Sequence, residues 1–287
     1  MIVAVASGKG GTGKTTVATN LALAGPDRVR FLDCDVEAPN AHILLQPELE
    51  PGTPVRLPVP VFNAAKCTGC GRCVEVCAYN ALALVGRELM VFEGLCHGCG
   101  GCVYFCPEGA LEEAQRVIGV VERGRAGKVG FFQGRLNPGE ALAPPVIAAV
   151  RQEAAAAEDQ LDTIVDCPPG TSCPAIAAVR GVDYCLVVTE PTPFGRHDLE
   201  AIVEVLNILD VPHGVVINRA DLGDGEVEGF CRERGIPVLG RLPFDPRIGR
   251  CFNTGRPVVS ELPVWRQTFK RLWRDIRDAV KGAGAGA

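Results

Sequence analysis

Eight cysteines in the middle of this chain form two quartets, Cys67-Cys70-Cys73-Cys77 and Cys96-Cys99-Cys102-Cys106, each spaced C-x2-C-x2-C-x3-C. The second quartet runs on into Pro107. A stretch of about 50 residues buries too little apolar surface to fold alone, so it must be held together by whatever its thiols bind. The spacing is that of an iron–sulfur ligand run. Zinc sites also use C-x2-C pairs, but a four-coordinate ion gives no reason for a third cysteine at the same interval. Equivalent cysteines lie 29 residues apart, which marks a tandem duplication of one cluster-binding unit.

The whole chain has 287 residues, enough for one large α/β domain and a small insert. Its net charge of −5 and lack of a basic run argue against nucleic acid as a partner. The opening Met1-Ile2-Val3-Ala4-Val5-Ala6 runs straight into a glycine loop, so it reads as a strand and not as a secretion signal. No apolar run approaches the length of about 20 residues that spans a membrane, and a cytoplasmic location is expected, where thiols stay reduced.

Strands are expected at residues 2–6, 29–33, 127–132, 163–166, 183–189 and 214–218, with helices at 15–24, 143–157 and 198–209. Strands separated by helix-length segments predict a doubly wound, mostly parallel sheet. Five prolines at 47, 51, 54, 58 and 60 mark a linker into the cysteine-rich stretch. The expected organisation is therefore a nucleotide-binding domain in two parts, 1–60 and 114–287, with an α+β insert at 61–113. If the first and last strands of the insert pair, both of its ends leave from one side and can enter a host loop.

Gly8-Lys9-Gly10-Gly11-Thr12-Gly13-Lys14-Thr15 satisfies G-x4-G-K-[ST] and stands between the first strand and the first helix. Such a loop wraps phosphates with backbone N–H groups at a helix N-terminus. Gly8, Gly10, Gly11, Thr12, Gly13 and Thr16 would line the site, Lys14 would reach the β- and γ-phosphates, and Thr15 would meet Mg2+. Acids at Asp33 and Asp35 read either as part of the site or as a capped strand end.

The spacing of the eight cysteines resembles that of clostridial-type ferredoxins. In those two-cluster proteins the fourth cysteine of each run ligates the other cluster. The resemblance thus implies one [4Fe–4S] cluster on Cys67, Cys70, Cys73 and Cys106, and a second on Cys96, Cys99, Cys102 and Cys77. Ala78 stands where the pattern has proline after the fourth cysteine, which implies a less rigid turn with the ligand kept.

With its second lysine, Lys9, the phosphate loop resembles the deviant Walker A motif of the MinD/ParA/Mrp group of P-loop ATPases. The likeness extends to residues 33–40 and 166–170, similar to that group's two switches, and to Val216-Ile217-Asn218-Arg219 and Leu242-Pro243-Phe244-Asp245. It implies ATP hydrolysis to ADP by a dimer. Lys9 would reach the partner's phosphates, Asp35 would position the attacking water, Asp166 would hold Mg2+ through water, and Asn218, Pro243 and Asp245 would face the base. Residues 134–140 and 168–174 are similar to MinD-superfamily ATPases that carry an inserted ferredoxin domain.

Six cysteines lie outside the quartets. Cys34, Cys167, Cys185, Cys231 and Cys251 read as small buried hydrophobes, and Cys173 as the one able to face a partner subunit or a transferable cluster. Residues 264–281 carry an apolar stripe of Val264 or Trp265, then Phe269, Leu272, Trp273, Ile276 and Val280, opposite six basic residues. Docking of this helix onto the sheet is expected, with membrane contact as the competing reading, and residues 282–287 are expected to be a flexible tail.

Together these features predict an ATP-dependent dimeric switch, homodimer or heterodimer with a paralogue, that couples nucleotide state to assembly or delivery of a metal centre to a client protein. The Mrp-type relatives often carry a C-x2-C pair for a transferable cluster, which this chain lacks outside the quartets. That absence supports a second reading, ATP-gated electron transfer to a redox partner, as in the nitrogenase iron protein. A redox-sensing spatial organiser is the third.

Overall fold

The computed structural model describes residues 1–25, 28–157, 160–223 and 225–284. The chain begins β1 (Ile2–Ala6), α1 (Lys14–Ala24), β2 (Val29–Asp33), α2 (Ala41–Leu45), β3 (Glu48–Leu49) and β4 (Thr53–Phe62). The cysteine-rich stretch contributes α3 (Arg72–Glu75), β5 (Leu82–Val85), β6 (Glu88–Val91) and α4 (Gly101–Tyr104). There follow β7 (Leu111–Ala126), β8 (Val129–Leu136), α5 (Ala143–Ala155), β9 (Asp162–Asp166), α6 (Cys173–Val179), β10 (Tyr184–Thr189) and α7 (Pro193–Ile208). The last part is β11 (His213–Asn218), α8 (Glu226–Glu233), β12 (Val238–Leu242), α9 (Pro246–Asn253), α10 (Val258–Glu261) and α11 (Pro263–Gly284).

Strand order in the main sheet is β12-β11-β10-β1-β9-β2-β8-β7-β3, and β4 also pairs with β7. All neighbours from β12 to β8 are parallel, and β7 begins an antiparallel edge. In β1 the side chains of Val3 and Val5 enter the layer formed with α1 and α11, while Ala4 and Ala6 enter the layer beneath α5 and α7. That strict alternation between two buried faces is what a sheet covered by helices on both sides requires. The expected doubly wound α/β architecture is present.

Two expectations need correction. Residues 47–60 are not a linker for most of their length, because β4 pairs with β7 from Thr53↔Val121 to Phe62↔Leu111. Pro54, Pro58 and Pro60 occupy one phase of this edge strand, so their missing N–H groups fall on the side that β7 does not use. Proline run and strand are thereby compatible. The second correction concerns β7, a 16-residue strand over Leu111–Ala126 where the sequence reading expected none and ended the insert at 113. Its first part pairs with β4 and its last part with β8, so the cysteine-rich stretch sits at the tip of a ribbon continuous with the host sheet. The flanking strands do pair, as expected, but they extend the sheet instead of entering one of its loops.

Helix α11 buries Trp265, Phe269, Leu272, Trp273 and Ile276, the last completely, against α1, α10 and β12. This is the docked reading of the C-terminal stripe. The helix continues to Gly284, beyond the expected start of a flexible tail, and residues 285–287 lie outside the described residues. Among the described residues no helix is long and apolar enough to cross a membrane.

Candidate functional site

The phosphate loop leaves β1 at its C-terminal end and enters α1 at Lys14, with Gly13 in the left-handed region at φ 88°. A side chain at Gly13 would also collide with Asn218 Nδ2, 2.6 Å from where its Cβ would stand. Both constraints demand glycine. Asn218 Nδ2 donates to the carbonyl of Thr12 at 2.8 Å, which ties the loop to the end of β11.

One cleft gathers most of the expected nucleotide residues: Gly10, Gly11, Gly13, Lys14, Thr15, Thr16, Asp35, Asn218, Pro243 and Asp245 all line it. Phe244, Ile248, Phe252 and Trp265 extend it as an apolar slot. Gly8, Lys9 and Thr12 do not line this cleft. Gly8 lies against α7, where an added Cβ would come within 2.2 Å of the Asp198 carbonyl oxygen, and Thr12 is buried. Asp245 caps α9 and accepts from Arg247 and from Trp265 Nε1. The Arg247 guanidinium, with the other donors, holds its carboxyl far below the usual range.

Behind the loop lies a buried charge cluster. Lys14 Nζ donates to Asp166 Oδ1 at 2.6 Å. Burial works to strip the lysine of its charge, yet the adjoining Asp166 carboxylate keeps its pKa above the ordinary value. Asp166 Oδ2 is buried with no hydrogen-bond partner. The orphaned Asp166 oxygen suits a hydrated divalent cation, which would supply positive charge to the phosphates and water donors to that oxygen. Asp33 is fully buried at the end of β2, and its carboxylate accepts from the backbone N–H groups of Asp35, Asn40 and Ala41. It therefore shapes the 34–41 loop from inside. Burial, then the Asp166 charge, raise its pKa. Asp35 faces the cleft, and burial pushes it up to about 6 against the pull of Lys14.

Lys9 turns away from these groups. Its Nζ lies 4.0 Å from Glu190 Oε2, and Glu190 Oε1 meets Arg219 Nη1 at 2.8 Å. Sequence reasoning missed Glu190, although an acid just past a buried parallel strand was a usable signal.

The eight quartet cysteines separate into two small cavities. One is lined by Cys67, Cys70, Cys73 and Cys106, the other by Cys77, Cys96, Cys99 and Cys102. The fourth cysteine of each run has crossed to the other set. None of the fourteen cysteines is in a disulfide. Backbone amides point at three sulfurs at 3.3 Å: Gly69 N at Cys67, Ala81 N at Cys77 and Ala110 N at Cys106. Among the described residues no three His, Cys, Asp or Glu side chains converge on a point that would hold one metal ion. Each cavity is lined by four thiols at the spacing of an iron–sulfur ligand run, a donor set that suits a cluster of iron and sulfide. The cavity of Cys96 lies against Pro58, Val59 and Pro60, nearer the main sheet, and that of Cys67 against Phe62 and Leu111 at the ribbon's end.

Outside the quartets Cys34, Cys167, Cys185, Cys231 and Cys251 are buried, and Cys173 is exposed. Burial pushes Cys167 up to about 12, which removes it from thiolate chemistry.

Comparison with known proteins adds to this geometry. The model of the CobQ/CobB/MinD/ParA nucleotide binding domain matches residues 3–258. Two uncharacterized proteins of Methanocaldococcus jannaschii are each 31% identical, over 92% and 98% of this chain and 97% and 98% of their own lengths. The iron-sulfur cluster carrier protein of Aquifex aeolicus is 25% identical over 91% of this chain and 62% of its own length. Among solved structures, the cell division ATPase MinD of Pyrococcus furiosus superposes with a TM-score of 0.60 at 21% identity, covering 96% of this chain and 98% of that one. That likeness is one of fold.

Proposed function

This chain belongs to the CobQ/CobB/MinD/ParA nucleotide-binding family and is a P-loop ATPase, and on that premise we propose that it is a dimeric switch coupling ATP turnover to two [4Fe–4S] clusters used in building or delivering a metal centre for a client protein. The observation that carries the proposal is the crossed sorting of the cysteines into two cavities on a ribbon continuous with the ATPase sheet. An iron-sulfur cluster carrier among the relatives supports it.

In this reading Lys14 would part from Asp166 to meet the β- and γ-phosphates, and Thr15 and Asp166 would hold Mg2+, which would supply positive charge to the phosphates. Asp35 accepts a hydrogen bond from the attacking water. Lys9 leaves Glu190 and crosses to the second subunit. Asn218 and Pro243 face the base. The clusters supply one-electron chemistry or are themselves cargo; the chain's cysteines and the amides at Gly69, Ala81 and Ala110 hold them and stabilise their negative charge.

A second reading, ATP-gated electron transfer, draws support from Cys173 being the lone exposed cysteine outside the quartets, which leaves no pair per chain for a shared, transferable cluster. Anaerobic purification separates the two. Protein with about eight iron atoms per chain should, with ATP, either lose iron to an apo-acceptor or keep its iron while reducing an acceptor. Protein without iron or acid-labile sulfide defeats both.

A further inference from the structure

Arg116 stands on β7 where the ribbon leaves the main sheet, opposite Leu57 of β4. Its Nη1 donates to Glu140 Oε1 at 2.5 Å, and its Nη2 donates to the carbonyl of Glu93 at 3.1 Å. The same Glu93 carbonyl accepts from the N–H of Cys96 at 3.1 Å. One guanidinium therefore grips the turn that seats Cys96, the only buried member of the inner quartet. The pair is sheltered, with Arg116 and Glu140 side chains 19% and 13% exposed, so its electrostatics are not those of a surface ion pair.

On its other side the bridge reaches the loop after β2 that lines the cleft. Glu140 N donates to the Asn137 carbonyl, and Asn137 N donates to that of Ile118. Next to Asn137, Leu136 N donates at 2.8 Å to the carbonyl of Val36, the residue after Asp35. Val36 is also wedged against β8, because a Cβ at Gly134 would come within 2.6 Å of its Cγ1. A shift of Asp35–Val36 would therefore act on the end of β8 and the 137–140 turn, to which Arg116 ties the Glu93 turn.

We propose that the Glu140–Arg116–Glu93 bridge is a positioning device that transmits the state of the 34–41 loop to the Cys96 turn, making the inner quartet the one that responds to nucleotide. The proline-rich strand β4 is not the transmitting element: it departs from the loop only after α2 and β3 and lies on the far side of β7. The inference deepens the coupling proposed above and names its route.

The test is native-state hydrogen exchange on the full-length, iron-loaded chain in an Asp35→Asn background that retains ATP, comparing ATP with no nucleotide. In that background the amides of Leu95 and Cys96 should change their exchange rate by at least about 5-fold, the lower end of ordinary coupling between sites, whereas Cys67 and Cys70 should not. Adding Arg116→Ala should abolish the difference, and so should Glu140→Gln, a milder change that removes the charge and keeps the shape. An unchanged difference in either folded variant, or no difference before they are added, overturns the bridge. Iron content is measured in parallel. A chain that lacks iron but still shows the Arg116-dependent response would keep the bridge and defeat the cluster assignment.

Discussion

Cys77 shares its cavity with Cys96, 19 residues further on, and not with Cys73, which precedes it by only four. The three-residue spacer and the turn after α3 carry its sulfur across the module, where Ala81 N donates to it. Cys106 makes the reciprocal crossing. Changing Cys106 to Ala should therefore remove about half the iron and alter the spectrum of the site built on Cys67, Cys70 and Cys73. Mössbauer or EPR spectroscopy showing loss at Cys96, Cys99 and Cys102 instead would reverse the assignment.

The two lysines of the phosphate loop should separate by function. Lys14→Ala leaves Asp166 buried without its cation and removes the phosphate ligand, so ATP binding and hydrolysis should both fail. Lys9→Ala touches nothing in the cleft and should keep ATP affinity within a few-fold, while hydrolysis falls by about 10³, the scale of a missing cationic finger. Calorimetry and phosphate release decide the matter. Full turnover by Lys9→Ala would remove the trans role.

ATP hydrolysis should show an acid limb. Burial raises Asp35 to about 6, and the role proposed for it needs the ionised form, so the rate should rise with pH through about 6 and level above it. For folding the sign is opposite. A carboxyl protonated more readily in the native state than in the unfolded chain loses stability as pH rises from about 4 towards 6. Asp35→Asn should erase that contribution, seen as a smaller change in urea midpoint between those pH values.

Phe269→Ala should destabilise the protein by about 3–5 kcal/mol, the usual range for removing a buried aromatic ring, because Phe269 is 2% exposed between α11 and the sheet. Urea unfolding measures it. Since this face is already covered, liposome flotation with ATP should recover no wild-type protein. Recovery in the lipid fraction would mean that α11 undocks.

Much of the site was legible because its residues are close in sequence or fixed by motif. The phosphate loop, the quartets and the apolar stripe from Trp265 to Ile276 each carry their own spacing rule. What escaped was set by partners far along the chain. A strand such as Thr53–Phe62 looks like a linker until β7 supplies the hydrogen bonds that leave its prolines on the free edge. Glu190 had only the weak signal of an acid past a buried strand, and its role shows once β10 and β11 place it between Lys9 and Arg219. Arg116 and Glu140 are 24 residues apart and belong to no periodic pattern, so only the turn after β8 brings them together.

The prolines of β4 have one more consequence. Their phase leaves the outer border of the ribbon short of N–H donors at 54, 58 and 60, so an incoming peptide could not add itself there as a further strand. A protein visiting the cysteine module would then have to be recognised through exposed side chains, such as Tyr104, 83% exposed on α4, and these can be recut without touching the sheet, while the border stays closed to indiscriminate polymerisation.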